Sequence, residues 1–276
     1  MQKALSPGAI GVRTPTIEAA AEAARLGGFA AVEISLKEAL DRGVEVARRA
    51  LDGIAVSGFG IPFDWRNDQE AWEHGLSALP AQAAAMAALG CRRCMTWIMP
   101  MSDSRDFEDN REFHVGRLSP IARILAEEGV DLGLEYVAPR TLWSKGKYPF
   151  VHTMAGMLDL AAEVGPNVGL LLDSWHWYTA HETLADVRAL RPEQVVYLHV
   201  NDAPVGLEID QQEDGIRDLP GATGVIDLKG FLDALRSVGY DGPVVCEPFK
   251  KDLADLPDDA ARLEAVGAAM DRVLAL

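Results

Sequence analysis

Residues 131–178 read DLGLEYVAPRTLWSKGKYPFVHTMAGMLDLAAEVGPNVGLLLDSWHWY. The stretch opens on a short apolar run ending in Glu135, passes through a helical segment from His152 to Val164, and reaches a second apolar run ending in Asp173. Short apolar runs bounded by turn signals read as buried strands, and strands alternating with helical segments read as parallel β-α-β units. The alternation continues in both directions. Upstream lie β-like runs at Ala4–Val12, Ala30–Ser35, Gly53–Phe59 and Arg93–Met99; downstream lie VVYLHVND (195–202) and GPVVCEPF (242–249). Helical segments separate them, among them Asp68–Leu89, Phe107–Glu128 and Leu228–Val238. After the first run, Thr14 is placed to cap a helix through TIEAAAEAARLGG (16–28), Pro15 suits its first turn, and Gly27-Gly28 stops it.

Eight such repeats in 276 residues predict an α/β fold, a single (β/α)₈ barrel domain over residues 1–276; barrels of this kind run to about 250 residues. An open doubly wound sheet is the competing architecture. It carries a glycine fingerprint after its first strand, where this chain has Val12-Arg13-Thr14-Pro15.

Composition narrows the function. The chain holds 26 Lys+Arg against 42 Asp+Glu, a net charge of −16. Such a surface repels nucleic acid and anionic lipid, because phosphate binding needs a basic footprint. No membrane-spanning run or targeting segment is visible, since MQKALSPGAIGV is short and broken by Pro7 and Gly8. A cytoplasmic protein is expected. Cys91-Arg-Arg-Cys94 has the spacing of a redox or half-zinc motif, but a structural zinc wants a second pair, and the only other cysteine is Cys246. Reduced thiols are the expectation.

Four polar residues end apolar runs: Glu135, Asp173, His199 and Glu247. In a barrel these ends converge on the C-terminal mouth, where chemistry gathers. A buried carboxylate is costly unless paired or metal-bound. A histidine in a strand is, alone, more often an ordinary core residue. Falling on consecutive strands five to eight, the four together read as a ligand set. Three carboxylates and an imidazole suit one divalent ion, Mn²⁺ first, with Mg²⁺, Co²⁺ or Zn²⁺ as alternatives. His176, three residues beyond Asp173, can set a second imidazole beside a substrate.

Five of the six tryptophans fall at strand ends: Trp65, Trp97, Trp143, Trp175 and Trp177. Such aromatic faces, Trp97 and Trp175 among them, either suit the C–H faces of a sugar or cyclic polyol or simply plug the barrel top. The connection Asp202–Val225 exceeds twenty residues and reads as a lid. Glu33 is placed to orient a group at the mouth or to pair with Arg13. His74, His114 and His152 are expected at the surface and His181 beside the site; Arg140, Lys145 and Lys147, after strand five, either receive a carboxylate or phosphate or, the favoured reading, lie in a solvated loop.

LLLDSWHW (170–177), YLHVND (197–202), DGIRDLPG (214–221), GVIDL (224–228) and VVCEPF (244–249) resemble the xylose-isomerase-like TIM barrels, the sugar phosphate isomerase/epimerase family, and within it the inosose isomerase-like proteins. The resemblance covers nearly the whole chain and is strongest from about Asp131 onward. It implies that Glu135, Asp173, His199 and Glu247 ligate one divalent ion and that His176 and Arg217 contact substrate oxygens. The chemistry that follows is isomerisation or epimerisation of a small ketose or cyclic polyol ketone, through a metal-stabilised enediolate with Glu135 and Glu247 as the acid/base pair. If a β-hydroxyl leaves instead, the enzyme is a dehydratase of an inosose or of 3-dehydroshikimate, and the motifs do not separate the two. A three-zinc apurinic endonuclease on the same barrel needs further histidines at strand ends three and four and after strand seven. Here those places read GFGIPF (58–63), Trp97-Ile-Met-Pro100 and Arg217, which with the −16 charge argues against a nuclease. A sugar-binding barrel without turnover is the remaining alternative. Barrels of this family often associate through their helical shells, so a homo-oligomer is expected.

Overall fold

Side-chain oxygens set the starts of the long helices. Asp68, Asp106, Thr153, Asp227 and Asp258 accept from backbone N–H groups to begin the helices Gln69–Ala88, Phe107–Glu127, Met154–Val164, Leu228–Val238 and Asp259–Leu274. The first helix, Ile17–Leu26, starts later than the sequence reading placed it. Its cap is Thr16, whose hydroxyl accepts from Ala19 N at 3.1 Å, so Thr14 caps nothing and Pro15 stays outside.

The computed structural model describes residues 1–276. Its strands are β1 (Gln2–Leu5), β2 (Ala31–Val32), β3 (Ala55–Val56), β4 (Phe59–Gly60), β5 (Arg93–Ile98), β6 (Met101–Ser102), β7 (Asp131–Tyr136), β8 (Tyr148–Pro149), β9 (Val168–Asp173), β10 (Val195–His199) and β11 (Pro243–Val245). Nine form one parallel sheet in the order β3-β2-β1-β11-β10-β9-β7-β5-β4, while β6 and β8 make a small antiparallel ribbon. The outermost members of that order, β3 and β4, are separated only by Ser57-Gly58. Ser57 N donates to Val32 O at 3.1 Å, and Ile61 N donates to Met95 O at 3.2 Å. One broken stave therefore joins both ends of the sheet and closes it as a (β/α)₈ barrel. The predicted run Gly53–Phe59 is this stave. It breaks at Gly58, where a Cβ would lie 2.6 Å from Met95 Cε and 2.9 Å from Tyr197 Cε2.

The barrel interior is a packed core of Ala4, Ala31, Met95, Leu171, Tyr197 and Val245, distinct from the larger core between staves and helices. Nothing runs through it, so ligands meet the barrel at its mouth. One strand end and two side chains depart from expectation. The first run stops at Leu5, and Gly8–Ile10 turns as a 3₁₀ segment. Glu33 does not reach Arg13; it accepts from Ser6 Oγ at 2.7 Å and from the Tyr197 hydroxyl at 3.0 Å. His114 is buried rather than exposed, packed against Trp65, Phe113 and Phe150. Burial lowers its pKa to about 4, and its ring nitrogen lies 2.7 Å from the Asn110 carbonyl. Cys91, Cys94 and Cys246 are buried free thiols. Burial pushes Cys91 up to about 11 and raises Cys94 and Cys246 above the ordinary thiol range, which keeps them protonated and unreactive. No helix is long and apolar enough to cross a membrane.

Candidate metal centre and its cavity

Glu135 is the second-to-last residue of β7, Asp173 the last of β9, His199 the last of β10, and Glu247 lies two residues beyond β11. Register sets them at one level, because His199 pairs with Asp173 on one side and Val245 on the other. One ligand atom from each of the four falls within 4.8 Å of all the others. His199 Nδ1 is central: 3.5 Å from Glu135 Oε1, 3.5 Å from Glu247 Oε2 and 3.9 Å from Asp173 Oδ2. These separations are too long for good hydrogen bonds. Glu135 Oε1 and His199 Nδ1 are accordingly buried without a partner. Orphaned buried polar atoms that face each other are costly unless something positive lies between them. Ligand bonds of about 2.0–2.2 Å place the donor atoms of one ion roughly 3–4 Å apart. The donor set and its spacing fit a single divalent cation.

The two glutamates are driven apart electrostatically. Burial pushes Glu135 up to about 7, against the opposing pull of His199. Burial acts on Glu247 as well, but His199 and Arg217 outweigh it and hold that carboxyl below the usual range. For His199 burial favours the neutral ring, yet Glu247 and Glu135 hold its pKa well above the ordinary value. His176 is neutral, lowered to about 3 by burial and then by Arg217.

Three residues given no role from sequence hold this arrangement. Asn201 is fully buried. Its Nδ2 donates to Asp173 Oδ2 at 3.0 Å and its Oδ1 accepts from Glu247 N at 2.9 Å, so one amide aligns two of the four ligands. Ser174 clasps the Asn201 backbone, accepting from its N–H at 2.8 Å and donating to its carbonyl at 2.9 Å. Asp202 accepts from the backbone N–H groups of Ala203, Ile226, Thr223 and Gly224 at 2.8–3.0 Å. It pins both ends of the long connection to the barrel. The available signal was a polar Asn-Asp pair directly after a buried strand histidine.

A cavity of about 360 Å³ opens over the cluster, with Trp97, Glu135, His176, Asp214, Arg217 and Phe249 in its walls. That volume suits one small ligand. Arg217, only 3% exposed, comes down from the long connection. Its Nη1 donates to Asp173 Oδ2 at 2.7 Å, and its Nη2 donates to Asp214 Oδ1 at 3.1 Å and lies 3.2 Å from His176 Nε2. The guanidinium is held between Trp175 and Phe249, with centroids at 4.9 and 4.8 Å. His176 Nε2 lies 3.9 Å from Glu135 Oε1. The structure thus brings His176, Arg217 and Trp97 to the cavity, but it buries Trp175 beneath Arg217, away from the wall. Trp65 and Trp177 are also buried, and Trp143 stacks on His152 at 4.5 Å. His181 is exposed and bonds Asp210 at 2.7 Å, and Arg140 reaches the same carboxylate at 2.9 Å. Asp214 and Phe249 stood in recognised motifs without an assigned role; that they face the cavity follows from tertiary folding alone.

The model of the xylose isomerase-like TIM barrel family matches residues 20–271, and the chain belongs to that family. It is 28% identical over 140 residues to the inosose isomerase of Bacillus velezensis, covering 49% of this chain and 45% of that protein. It is 27% identical over 151 residues to the 3-dehydroshikimate dehydratase of Pseudomonas aeruginosa, covering 54% and 22%. To the L-ribulose 3-epimerase of a Methylomonas species it is 24% identical over 148 residues, covering 53% and 45%. The matches to inosose isomerases span about half the length of those proteins. Among solved structures, a xylose isomerase domain protein from Alicyclobacillus acidocaldarius superposes with a TM-score of 0.87 at 30% identity, covering 100% of this chain and 98% of that one. The IOLI protein with a bound zinc atom superposes with a TM-score of 0.80 at 18% identity, with 100% and 98% covered, a likeness of fold.

Proposed function

We propose that this chain is a divalent-metal-dependent isomerase or epimerase acting on a small ketose or cyclic polyol ketone. The observation that carries the reading is the cluster of Glu135, Asp173, His199 and Glu247, with one ligand atom of each within 4.8 Å of all the others, beneath a cavity of about 360 Å³ that both glutamates line. Two carboxylates lining one small cavity can serve as acid and base toward the same substrate. When bound, a divalent ion, Mn²⁺ before the alternatives, polarises the ketone carbonyl and lowers the barrier to removing the neighbouring proton.

The side chains do the rest. Glu247 is the base that takes the proton from the carbon beside the carbonyl. Glu135 delivers a proton from the other side of the cluster. Delivery to the opposite face of the same carbon gives an epimer; delivery to the former carbonyl carbon, with the hydroxyl proton of the first carbon passing to the former carbonyl oxygen, gives the isomeric ketone or aldehyde. Neutral His176 and Arg217 Nη2 meet substrate oxygens at the wall, and the Trp97 ring, 43% exposed, offers an apolar face to C–H groups. A second reading is supported by the likeness to 3-dehydroshikimate dehydratase: the same proton removal with loss of a β-hydroxyl is a dehydration.

The test is incubation of the Mn²⁺-loaded protein with ketoses, inososes and 3-dehydroshikimate in D₂O. Solvent deuterium at the carbon beside the carbonyl, with no loss of water, supports isomerase or epimerase chemistry. A rising enone absorbance identifies the dehydratase. Glu247→Gln is expected to abolish exchange while the circular dichroism spectrum stays unchanged; exchange at the wild-type rate would remove Glu247 from the mechanism.

A further inference from the structure

The cations around the cavity are already engaged. Arg217 spends Nη1 on Asp173 and Nη2 on Asp214. Lys250 pairs with Asp218 at 2.6 Å, Arg140 pairs with Asp210 at 2.9 Å, and Arg66 is folded between Trp65 and Trp97 with its Nη2 on Thr96 Oγ1 at 2.8 Å. Carboxylates are in surplus. Glu135, Asp173, Glu247 and Asp214 stand against the single guanidinium of Arg217, so even with a divalent ion in place one net negative charge remains. Of the four, Asp214 alone lies outside the ligand cluster. It sits on the long connection at the cavity wall, 34% exposed and 3.1 Å from Arg217 Nη2.

We infer that Asp214 is a specificity-determining residue: by occupying Arg217 Nη2 it closes the one guanidinium of the cavity to phosphate and carboxylate groups, and restricts the site to uncharged polyhydroxy ketones. The inference rests on the proposed ketone chemistry and names which ketones the site takes. A phosphoryl group brings a charge of about −1.5 to −2 and needs a free, well-oriented donor set. Beside Asp214 and Glu247 it meets like charge and finds Arg217 committed, and poor solvation inside the cavity strengthens the repulsion. A neutral hydroxyl suffers neither penalty. It donates to Asp214 and leaves the Asp214–Arg217 pair intact.

Binding and turnover of D-fructose and D-fructose 6-phosphate are to be measured in parallel on Mn²⁺-loaded wild type and Asp214→Asn, by calorimetry and proton exchange at low ionic strength. Wild type is expected to bind the free ketose at least about tenfold more tightly, the scale on which misplaced like charge discriminates partners. Asp214→Asn should shrink that ratio by about tenfold, and Asp214→Glu, which keeps the charge, should preserve it. Any direct contact of phosphate with the ion is common to all three proteins and cancels in the comparison. A wild-type preference for the phosphorylated ketose, or a ratio that Asp214→Asn leaves unmoved, overturns the inference. If phosphorylated ketose is preferred and exchange at the neighbouring carbon persists, Asp214 loses its role while the isomerase reading stands. If neither ketone binds the loaded protein, both readings fall.

Discussion

Asn201→Ala isolates the alignment of the ligands from the ligands themselves. The amide makes two bonds across the site, from Nδ2 to Asp173 Oδ2 at 3.0 Å and from Glu247 N to Oδ1 at 2.9 Å. The first is a buried bond to a carboxylate, worth about 1.5–3 kcal/mol; losing the second strands a backbone N–H at a further cost of about 1–3 kcal/mol. The expected loss of stability is therefore about 3–5 kcal/mol, a large part of the roughly 5–15 kcal/mol that holds a protein folded. Metal affinity should fall by about 10–100-fold, the usual consequence of removing a group that orients a ligand. Asn201→Asp is the informative control. It keeps an acceptor for Glu247 N but sets a carboxyl where a donor faced Asp173, and two carboxylates so close cannot both ionise. Its deficit in Mn²⁺ affinity should be severe at neutral pH, and its stability deficit should shrink in mild acid, where the new carboxyl takes up a proton and donates again. Urea unfolding followed by tryptophan fluorescence and Mn²⁺ titration by calorimetry read the two effects separately. An Asn201→Ala protein with wild-type midpoint and wild-type Kd would refute the alignment argument.

Three further outcomes follow from the same structure. Mn²⁺ affinity should rise as pH climbs through about 7, because Glu135 is raised to about 7, His199 is raised, and both must lose a proton before binding the ion; a flat calorimetric profile between about pH 5.5 and 8 would contradict this. Asp202→Ala removes the acceptor of four backbone N–H groups and should cost at least about 3 kcal/mol in urea unfolding, with a raised KM as the connection bearing Arg217 loosens. Gly169→Ala places a Cβ 2.7 Å from the Gln194 carbonyl oxygen and should cost about 1–3 kcal/mol, whereas Gly8→Ala, with nothing within 4 Å, should unfold close to wild type; equal midpoints for the two would remove the close-approach argument.

The barrel and the clustering of its four strand-end side chains were legible because both are written locally. A strand leaving the sheet announces itself as an apolar run, and Glu135, Asp173, His199 and Glu247 each interrupt or end such a run. What was not legible depends on partners distant in sequence. The need for glycine at position 58 follows from Met95 and Tyr197 filling the space a Cβ would take. Asn201 acts on residues 28 and 46 positions away. The tryptophans could be placed at strand ends, yet only the packing of Arg217 over Trp175 and of Arg66 against Trp97 decides which ring faces a ligand. His114 was misplaced for the same reason, since the aromatic rings that enclose it belong to residues on either side of its helix in sequence, Trp65 and Phe150, as well as its neighbour Phe113.

The staves that carry no ligand still hold the site in place. Tyr197 and His199 share a face of β10, because side chains two apart in a strand point the same way, and both are buried in the barrel. Tyr197 lies in the layer beneath, where its hydroxyl donates to Glu33 Oε1 at 3.0 Å and stands 3.0 Å from Ser57 Oγ, while Ser6 donates to the other oxygen of Glu33. Ser6, Glu33 and Ser57 follow β1, β2 and β3, so this polar layer ties the first staves to the seventh directly below the ligand cluster. His199 is thus supported from below as Asp173 and Glu247 are supported from the side by Asn201. Carboxylates held this rigidly cannot relieve their mutual repulsion by moving apart. The cluster is eased by proton uptake, burial raising Glu135 and the neighbouring carboxylates raising His199, or by sharing a cation.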